Sequence, residues 1–250
     1  MTETEKKAVG RYLDWHTGIL LETDGKMGIY RKESGKLIYK EKADSEDGYL
    51  GMYLFLMGKY LEKTESTDLP ESWKNGISLA LKKIQSLMQD GITQVSEENT
   101  TVYLMDNLEV WKGLYELELA GLEDTQAISE IRKKIQKQIE KIFWDDADQR
   151  WRIIGNSDRY HQTEFYPDGV AQIYPLIYEF PVKEKKKQKV LYDQFTERFQ
   201  WQKLTKKRNG FLWAMTGMAA AQMRDINNLV ELVGNYETEY CKERKYPLYT

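Results

Sequence analysis

Residues 43–63 read ADSEDGYLGMYLFLMGKYLEK. The stretch opens on an acidic turn, Asp44-Ser45-Glu46-Asp47, and then turns apolar with no polar face: Leu50, Met52, Tyr53, Leu54, Phe55, Leu56 and Met57 go almost all the way round a helix. A helix of that kind is buried on most sides. Charge at the mouth of a buried helix is costly unless it caps the helix or performs a task. Two further stretches repeat the arrangement. Tyr103-Leu-Met-Asp106-Asn107-Leu-Glu109 opens the apolar run to Leu122, and Glu164-Phe-Tyr-Pro-Asp168 opens the run Val170 to Phe180. A fourth apolar run, Phe211 to Met223, includes Trp213 and carries no acid at its mouth. The pattern predicts inner helices whose N-terminal ends meet at one acidic, aromatic-lined site.

Between these runs lie amphipathic helices with one apolar stripe, expected on the outside. One follows Pro70, with Asp68 as its N-cap, and runs to Gln89 through Trp73, Ile77, Leu81, Ile84 and Leu87. Another starts at Glu123-Asp124-Thr125 and reaches Phe143 through Ile128, Ile131, Ile135 and Ile139. A third spans Lys185 to Phe199, and its leading lysines read as a solvated helix start. At the N-terminus, Thr4 to Trp15 reads as a short helix capped by Thr2 or Thr4, with His16 at its end. The last helix starts at Asp225 or Asn227 and runs to about Cys241. Short β-like segments intervene at Gly18–Leu21, Met27–Arg31, Leu37–Lys40, Ile92–Val95, Trp151–Ile154 and Arg159–Tyr166, several joined by Asp-Gly or Ser-Gly turn pairs. Outer helix, excursion and inner helix recur about every 45 to 60 residues, the signature of a repeat architecture. No linker or compositional break divides the chain, so residues 1–250 are expected to form a single domain.

Composition narrows the function. A net charge of −3 gives no basic footprint, so nucleic acid is not the expected partner. One cysteine, Cys241, and two histidines, His16 and His161, rule out a disulfide framework and a zinc site of the usual ligands, and no cofactor is expected. No apolar run approaches the ~20 residues of a membrane span. Met1 is not followed by a signal peptide, which makes the cytoplasm the default location, or the exterior if a leader has been trimmed. Seventeen tyrosines and seven tryptophans stand against seven phenylalanines, and rings with polar tips suit a half-wet cleft that stacks sugars.

The blocks Ala43-Asp44-Ser45-Glu46-Asp47-Gly48-Tyr49, Tyr103 to Leu114 and Tyr166-Pro167-Asp168 to Pro175 resemble the six-hairpin, or (α/α)6-toroid, glycosidases. The first is similar to the Asp-rich turn of family 8 glycoside hydrolases, in which an Asp lies by the scissile sugar. The resemblance implies an all-α toroid of helical hairpins, incomplete or open, with short β-hairpins on one rim, and a carbohydrate substrate or ligand. The chain departs from the family in having about nine helices rather than twelve, and in lacking the family's Glu on a hairpin before the Asp block. The expected activity is hydrolysis of a poly- or oligosaccharide between two carboxyl groups, one a protonated acid and the other a base or nucleophile. Asp47 or Asp44 is expected as the base and Glu109 or Glu164 as the acid. Asp106, at i, i+3 from Glu109, shares its helix face. Tyr49, Tyr103, Asn107, Trp111, Trp151, Tyr160, His161, Tyr166, Asp168 and Trp213 are the expected sugar contacts. The alternative is a glycan-binding or scaffold protein on the same toroid without turnover.

Overall fold

The structure, a computed structural model, describes residues 1–66, 68–122, 125–157, 164–182, 185–203 and 213–238. These residues form nine α-helices and three two-stranded antiparallel hairpins. They group into two compact units. The first is Met1–Phe143 rejoined by the stretch from Ile154; the second is Trp144–Ile153 with the described residues from Glu164 onward.

In the first unit, α1 (Glu3–Glu22) begins on a capping box: Thr2 Oγ1 accepts from the Glu5 amide, and Glu5 answers the Thr2 amide. This helix is about two turns longer than expected. Gly18–Leu21 is helical rather than β-like because Leu13, His16, Thr17 and Leu20 continue one buried stripe. It stops where Asp24 takes φ 51° and the Gly25 amide returns to the Leu20 carbonyl at 2.8 Å. His16 is not a surface histidine: it is 6% exposed, its ring set among Tyr12, Trp15 and Tyr53. Burial pushes its pKa down to about 4, so it is neutral.

Strands β1 (Gly28–Glu33) and β2 (Lys36–Lys42) pair antiparallel across Ser34-Gly35, both at positive φ, as a two-residue hairpin turn requires. Helix α2 (Glu46–Thr64) follows, then α3 (Glu71–Leu87). The expected Asp68 cap of α3 is not made. Pro70 holds the cap position and its carbonyl accepts from the Trp73 and Lys74 amides. The Asp90-Gly91 turn joins β3 (Met88–Gln89) to β4 (Ile92–Thr93), and α4 (Leu104–Leu119) and α5 (Thr125–Phe143) complete the unit. The cap expected at Glu123 and Asp124 lies outside the described residues.

Helices α2 and α4 are the inner pair, and glycines fix how closely they approach. A Cβ on Gly51 would stand 2.6 Å from the Val110 amide nitrogen, and one on Gly58 would stand 2.6 Å from the Glu116 carbonyl carbon. Gly113 meets the Gly51 carbonyl in the same way. Both sequences advance together along the contact, so the helices run parallel and begin at the same end. Valine at Gly51 has nowhere to go without separating two backbones. Gly51→Val is expected to cost roughly 3 kcal/mol or more, measured by urea denaturation, at the upper end of overpacking penalties.

Outer helix α3 closes on α1 and α2 through a small cluster. Thr17 and Tyr53 share a hydrogen bond of 2.9 Å, and Gly76 lies under it with room for no Cβ. That pair keeps a buried phenol paired.

In the second unit, hairpin β5 (Trp144–Asp145) and β6 (Arg150–Trp151) precedes a wide π-turn, Phe165–Gly169, that leads into α6 (Val170–Ile177). Helix α6 is shorter than the expected run to Phe180. Glu179 takes φ 56° and the Phe180 amide turns back to the Pro175 carbonyl at 2.7 Å, a left-handed helix stop. Helix α7 (Lys185–Phe199), a 3₁₀ turn at Trp201–Lys203, α8 (Met215–Met223) and α9 (Ile226–Tyr236) follow. Helix α6 packs on α7 and α8, and α9 on α8. Asp225 caps α9, accepting from the Asn228 amide at 3.3 Å. Helix α9 stops at Tyr236, and Cys241, the expected end, is outside the described residues.

Candidate active site

Because α2 and α4 are parallel and joined backbone to backbone, their first turns lie side by side. Ser45, rather than Asp44, caps α2, its Oγ accepting from the Gly48 amide at 3.1 Å. The same hydroxyl donates to Asp47 Oδ1 at 3.0 Å, and the Gly48 amide also reaches that oxygen at 3.0 Å. The Thr93 hydroxyl on β4 reaches the other oxygen, Oδ2, at 2.7 Å. Asp47 is therefore 0% exposed and bonded on both oxygens. The expectation that it acts directly on substrate is corrected here: no sugar can touch it.

Asn107 is likewise a framework residue rather than a sugar contact. Its Nδ2 donates to the carbonyls of Thr93 (3.0 Å) and Tyr103 (2.9 Å), which fixes its orientation. Its Oδ1 accepts from the Thr93 amide at 2.9 Å and lies 2.8 Å from the Thr93 hydroxyl. That hydroxyl has one proton and two carboxamide or carboxylate acceptors, so its direction follows the protonation of Asp47.

Asp106 and Glu109 lie half-buried on one face of the first turns of α4, with Asp44 and Tyr49 exposed before and on the first turn of α2. Gly48 makes room for them. A Cβ there would stand 2.7 Å from Glu109 Oε2 and 3.6 Å from Asp106 Oδ1, so those two oxygens are at most roughly 6.3 Å apart. Burial is the main cause that pushes Asp106 up to about 8, and the charges of Asp47, Glu109 and Asp44 add to it. Burial also raises Asp47 to about 6, against the hydrogen bonds from Thr93, Ser45 and the Gly48 amide. A carboxyl at a helix N-terminus is ordinarily held ionised by the dipole. Here crowding and desolvation win, and Asp106 carries a proton at neutral pH. Tyr49 is raised by burial first, then by Asp44, Tyr12 and Glu109, which places Tyr12 as a further ring beside this mouth.

Asp47→Asn should preserve the framework, since its new amide can donate to Thr93 while Thr93 donates to Asn107. It removes the largest of the charges acting on Asp106. The Asp106 pKa is expected to fall by about 1 unit or more, read by carbon-13 NMR titration of that carboxyl.

Other expected residues fall differently. Trp111 is 2% exposed, stacked on Tyr115 and donating to Gln136, and Trp151 is 3% exposed and donates from its ring to Gln188. Both are core side chains; their apolar neighbours claimed the ring faces expected for sugar. Tyr103 is half-buried at the start of α4, bridged to Ile154. In the second unit, Tyr166 is 60% exposed, Trp213 stacks on Tyr174 at 6.1 Å, and exposed Glu164 gives its amide to buried Asp168 at 3.2 Å. Tyr160 and His161 lie outside the described residues. Two acidic mouths are thus brought together within the first unit, while the third belongs to the second unit.

Sequence reading missed Gly48 and Thr93 as parts of the site. A glycine straight after the acidic turn was the available signal for Gly48; nothing marked Thr93. Among the described residues no group of His, Cys, Asp and Glu is arranged to hold a metal, and no helix is long and apolar enough to cross a membrane.

No family model matches the sequence, and no curated protein matches it. Solved structures do. A GH78-family rhamnosidase of Bacillus sp. GL1 superposes with a TM-score of 0.52 at 12% identity, over 85% of this chain and 24% of that one. A rhamnosidase from Klebsiella oxytoca, solved with rhamnose bound, superposes with a TM-score of 0.54 at 11% identity, over 90% of this chain and 43% of that one. The fold is mostly helical with short antiparallel strand pairs, and these two neighbours are glycosidases with helical toroid domains. The chain spans about a quarter and under half of these two proteins, and at such identity the likeness is one of fold.

Proposed function

We propose that the protein is a glycoside hydrolase acting on a poly- or oligosaccharide, with the mouth of α2 and α4 as its active site. Asp106 is the general acid, giving its proton to the glycosidic oxygen as the bond breaks. Glu109, with Asp44 beside it, is the base that draws a proton from the attacking water. Asp47 acts through Asp106 as a positioning residue, its charge helping to keep that acid protonated. The family 8 pattern of an Asp-rich turn beside the scissile sugar supports the location, and the rhamnosidase folds support the reaction class. The observation that carries the reading is a carboxyl raised to about 8 with a second, half-buried carboxyl at most roughly 6.3 Å away.

An acid with that pKa gives a rate that declines as pH rises through about 8, because the ionised form cannot donate. The test is release of reducing ends from a panel of plant and bacterial poly- and oligosaccharides, rhamnose-bearing ones included. Cleavage of at least one, lost in Asp106→Asn and in Glu109→Gln, supports the reading. A folded protein that cleaves none of the panel, or an Asp106→Asn variant as active as the parent, rejects it. Binding without cleavage points instead to the glycan-binding role, which the burial of Asp47 favours.

A further inference from the structure

The first unit carries a row of aromatic rings outside the carboxyl cluster. It starts on α1, where Tyr12 and Trp15, three residues apart, share a face with their ring centroids 5.4 Å apart. It crosses to the β1–β2 hairpin, where Tyr30 meets Trp15 edge-on at 6.2 Å. Tyr39, paired with Tyr30 across the strands, meets that ring edge-on at 5.7 Å. The ends of the row are open and its middle is not. Tyr12 is 48% exposed and Tyr39 52%, whereas Trp15 and Tyr30 are half-buried. The middle rings therefore support the outer two. Gly28 supports Tyr39 as well, because a Cβ there would run into its ring. At the other end, Tyr12 lies close enough to Tyr49 for the two phenols to act on each other. Tyr49 is 38% exposed and feels Asp44 and Glu109 in the same way. The row is thus continuous with the acidic mouth of α2 and α4.

We infer that Tyr12 and Tyr39 are platforms for outlying sugars of an oligosaccharide held at the mouth, so that the preferred substrate is a chain of several units rather than a disaccharide. The inference rests on the hydrolase reading for where the scissile bond lies. Its physical basis is the rings themselves. A tyrosine fixed by its neighbours offers a flat apolar face with little motion left to lose. Its hydroxyl stays in water, where the hydroxyls of a sugar also stay. Phenol tips and continuity with a pair of carboxyls fit a sugar chain better than an apolar protein surface. None of these four rings repeats a platform expected from the sequence; Trp111 and Trp151, which were expected, are in the core.

The test is calorimetric titration of Asp106→Asn, which holds glycans uncut, with cello-, xylo-, chito- and rhamnogalacturonan oligosaccharides of two, four and six units, beside cleavage of the same series by the parent. In the series that binds, the longest chain is expected to bind at least about 10-fold tighter than the shortest. Tyr12→Ala and Tyr39→Ala, each added to Asp106→Asn, are expected to reduce that advantage roughly 5- to 20-fold, and phenylalanine at either position restores it. Circular dichroism confirms that each variant is folded. Length-dependent binding that Tyr39→Ala weakens, with no cleavage by the parent, supports the platforms and rejects the hydrolase. Cleavage at the same kcat/KM for every length, or a length advantage unchanged in both alanine variants, overturns the platforms and leaves the hydrolase standing. Binding of none of the four series overturns the proposal. So does a dimer of the parent that Tyr39→Ala dissolves in sedimentation, because the rings then belong to a protein interface.

Discussion

Asp106→Asn is expected to lower glycan cleavage about 10²- to 10⁴-fold and, in the same molecule, to raise stability at pH 8. The two effects share one cause. In the folded protein the Asp106 pKa is raised to about 8. In the unfolded chain it returns to its ordinary value of about 3.9. Below pH 4 the group is neutral in both states and costs nothing. As pH climbs from 4 to 8 the unfolded chain releases the proton and the folded one retains it, so stability falls; above 8 the loss levels off. Asparagine cannot ionise and escapes this loss. At about 1.4 kcal/mol per pKa unit, the variant should gain at least about 2 kcal/mol over the parent at pH 8 and nothing at pH 4. Urea denaturation at the two pH values measures the gain. An acid that merely caps α4 would give the opposite sign, because losing it would destabilise the helix.

Glu116→Ala is expected to be the most damaging single change in the first unit that leaves the site residues intact. Glu116 is buried between α2 and α4 and pairs with Lys112 at 2.8 Å and Lys59 at 2.8 Å. The Lys112 side chain is also buried, lying over the Tyr115 ring at 5.0 Å. Lys59 is partly exposed and has a second partner in Glu62 at 3.0 Å. Removing Glu116 breaks its pair with the buried Lys112 ammonium, and breaking a buried pair costs about 3–5 kcal/mol. Lys59→Met should cost no more than about 1 kcal/mol, since Lys112 still answers Glu116. Replacing both buried partners, Lys112→Met with Glu116→Leu, should recover most of the loss. Denaturant midpoints for the three variants decide the matter: equal costs for Glu116→Ala and Lys59→Met would contradict the assignment of the buried charge.

Most of this architecture was legible in the sequence. Helices apolar on all sides at 46–64 and 104–119 and one-sided helices at 71–87 and 125–143 separate inner from outer without any coordinates. The Ser34-Gly35 pair announced the first hairpin, while Asp24-Gly25, read as another turn between strands, closes α1. What periodicity cannot supply is depth. Asp47, Asp106 and Glu109 look alike as letters in two acidic first turns. One is sealed by Ser45 and Thr93, and the other two lie half-buried over Gly48, where a side chain would collide with Glu109. Trp111 and Trp151 read as platforms because a ring that stacks on sugar and a ring that packs on Tyr115 or Trp144 have the same composition signal.

The most direct measurement is the ionisation of the Asp106 carboxyl, followed by carbon-13 NMR in the folded protein and assigned with Asp106→Asn. The account predicts a midpoint near 8 that moves down when Asp47 becomes asparagine. A midpoint near the ordinary 4, unmoved by that change, would mean that the two helix mouths do not crowd their carboxyls together.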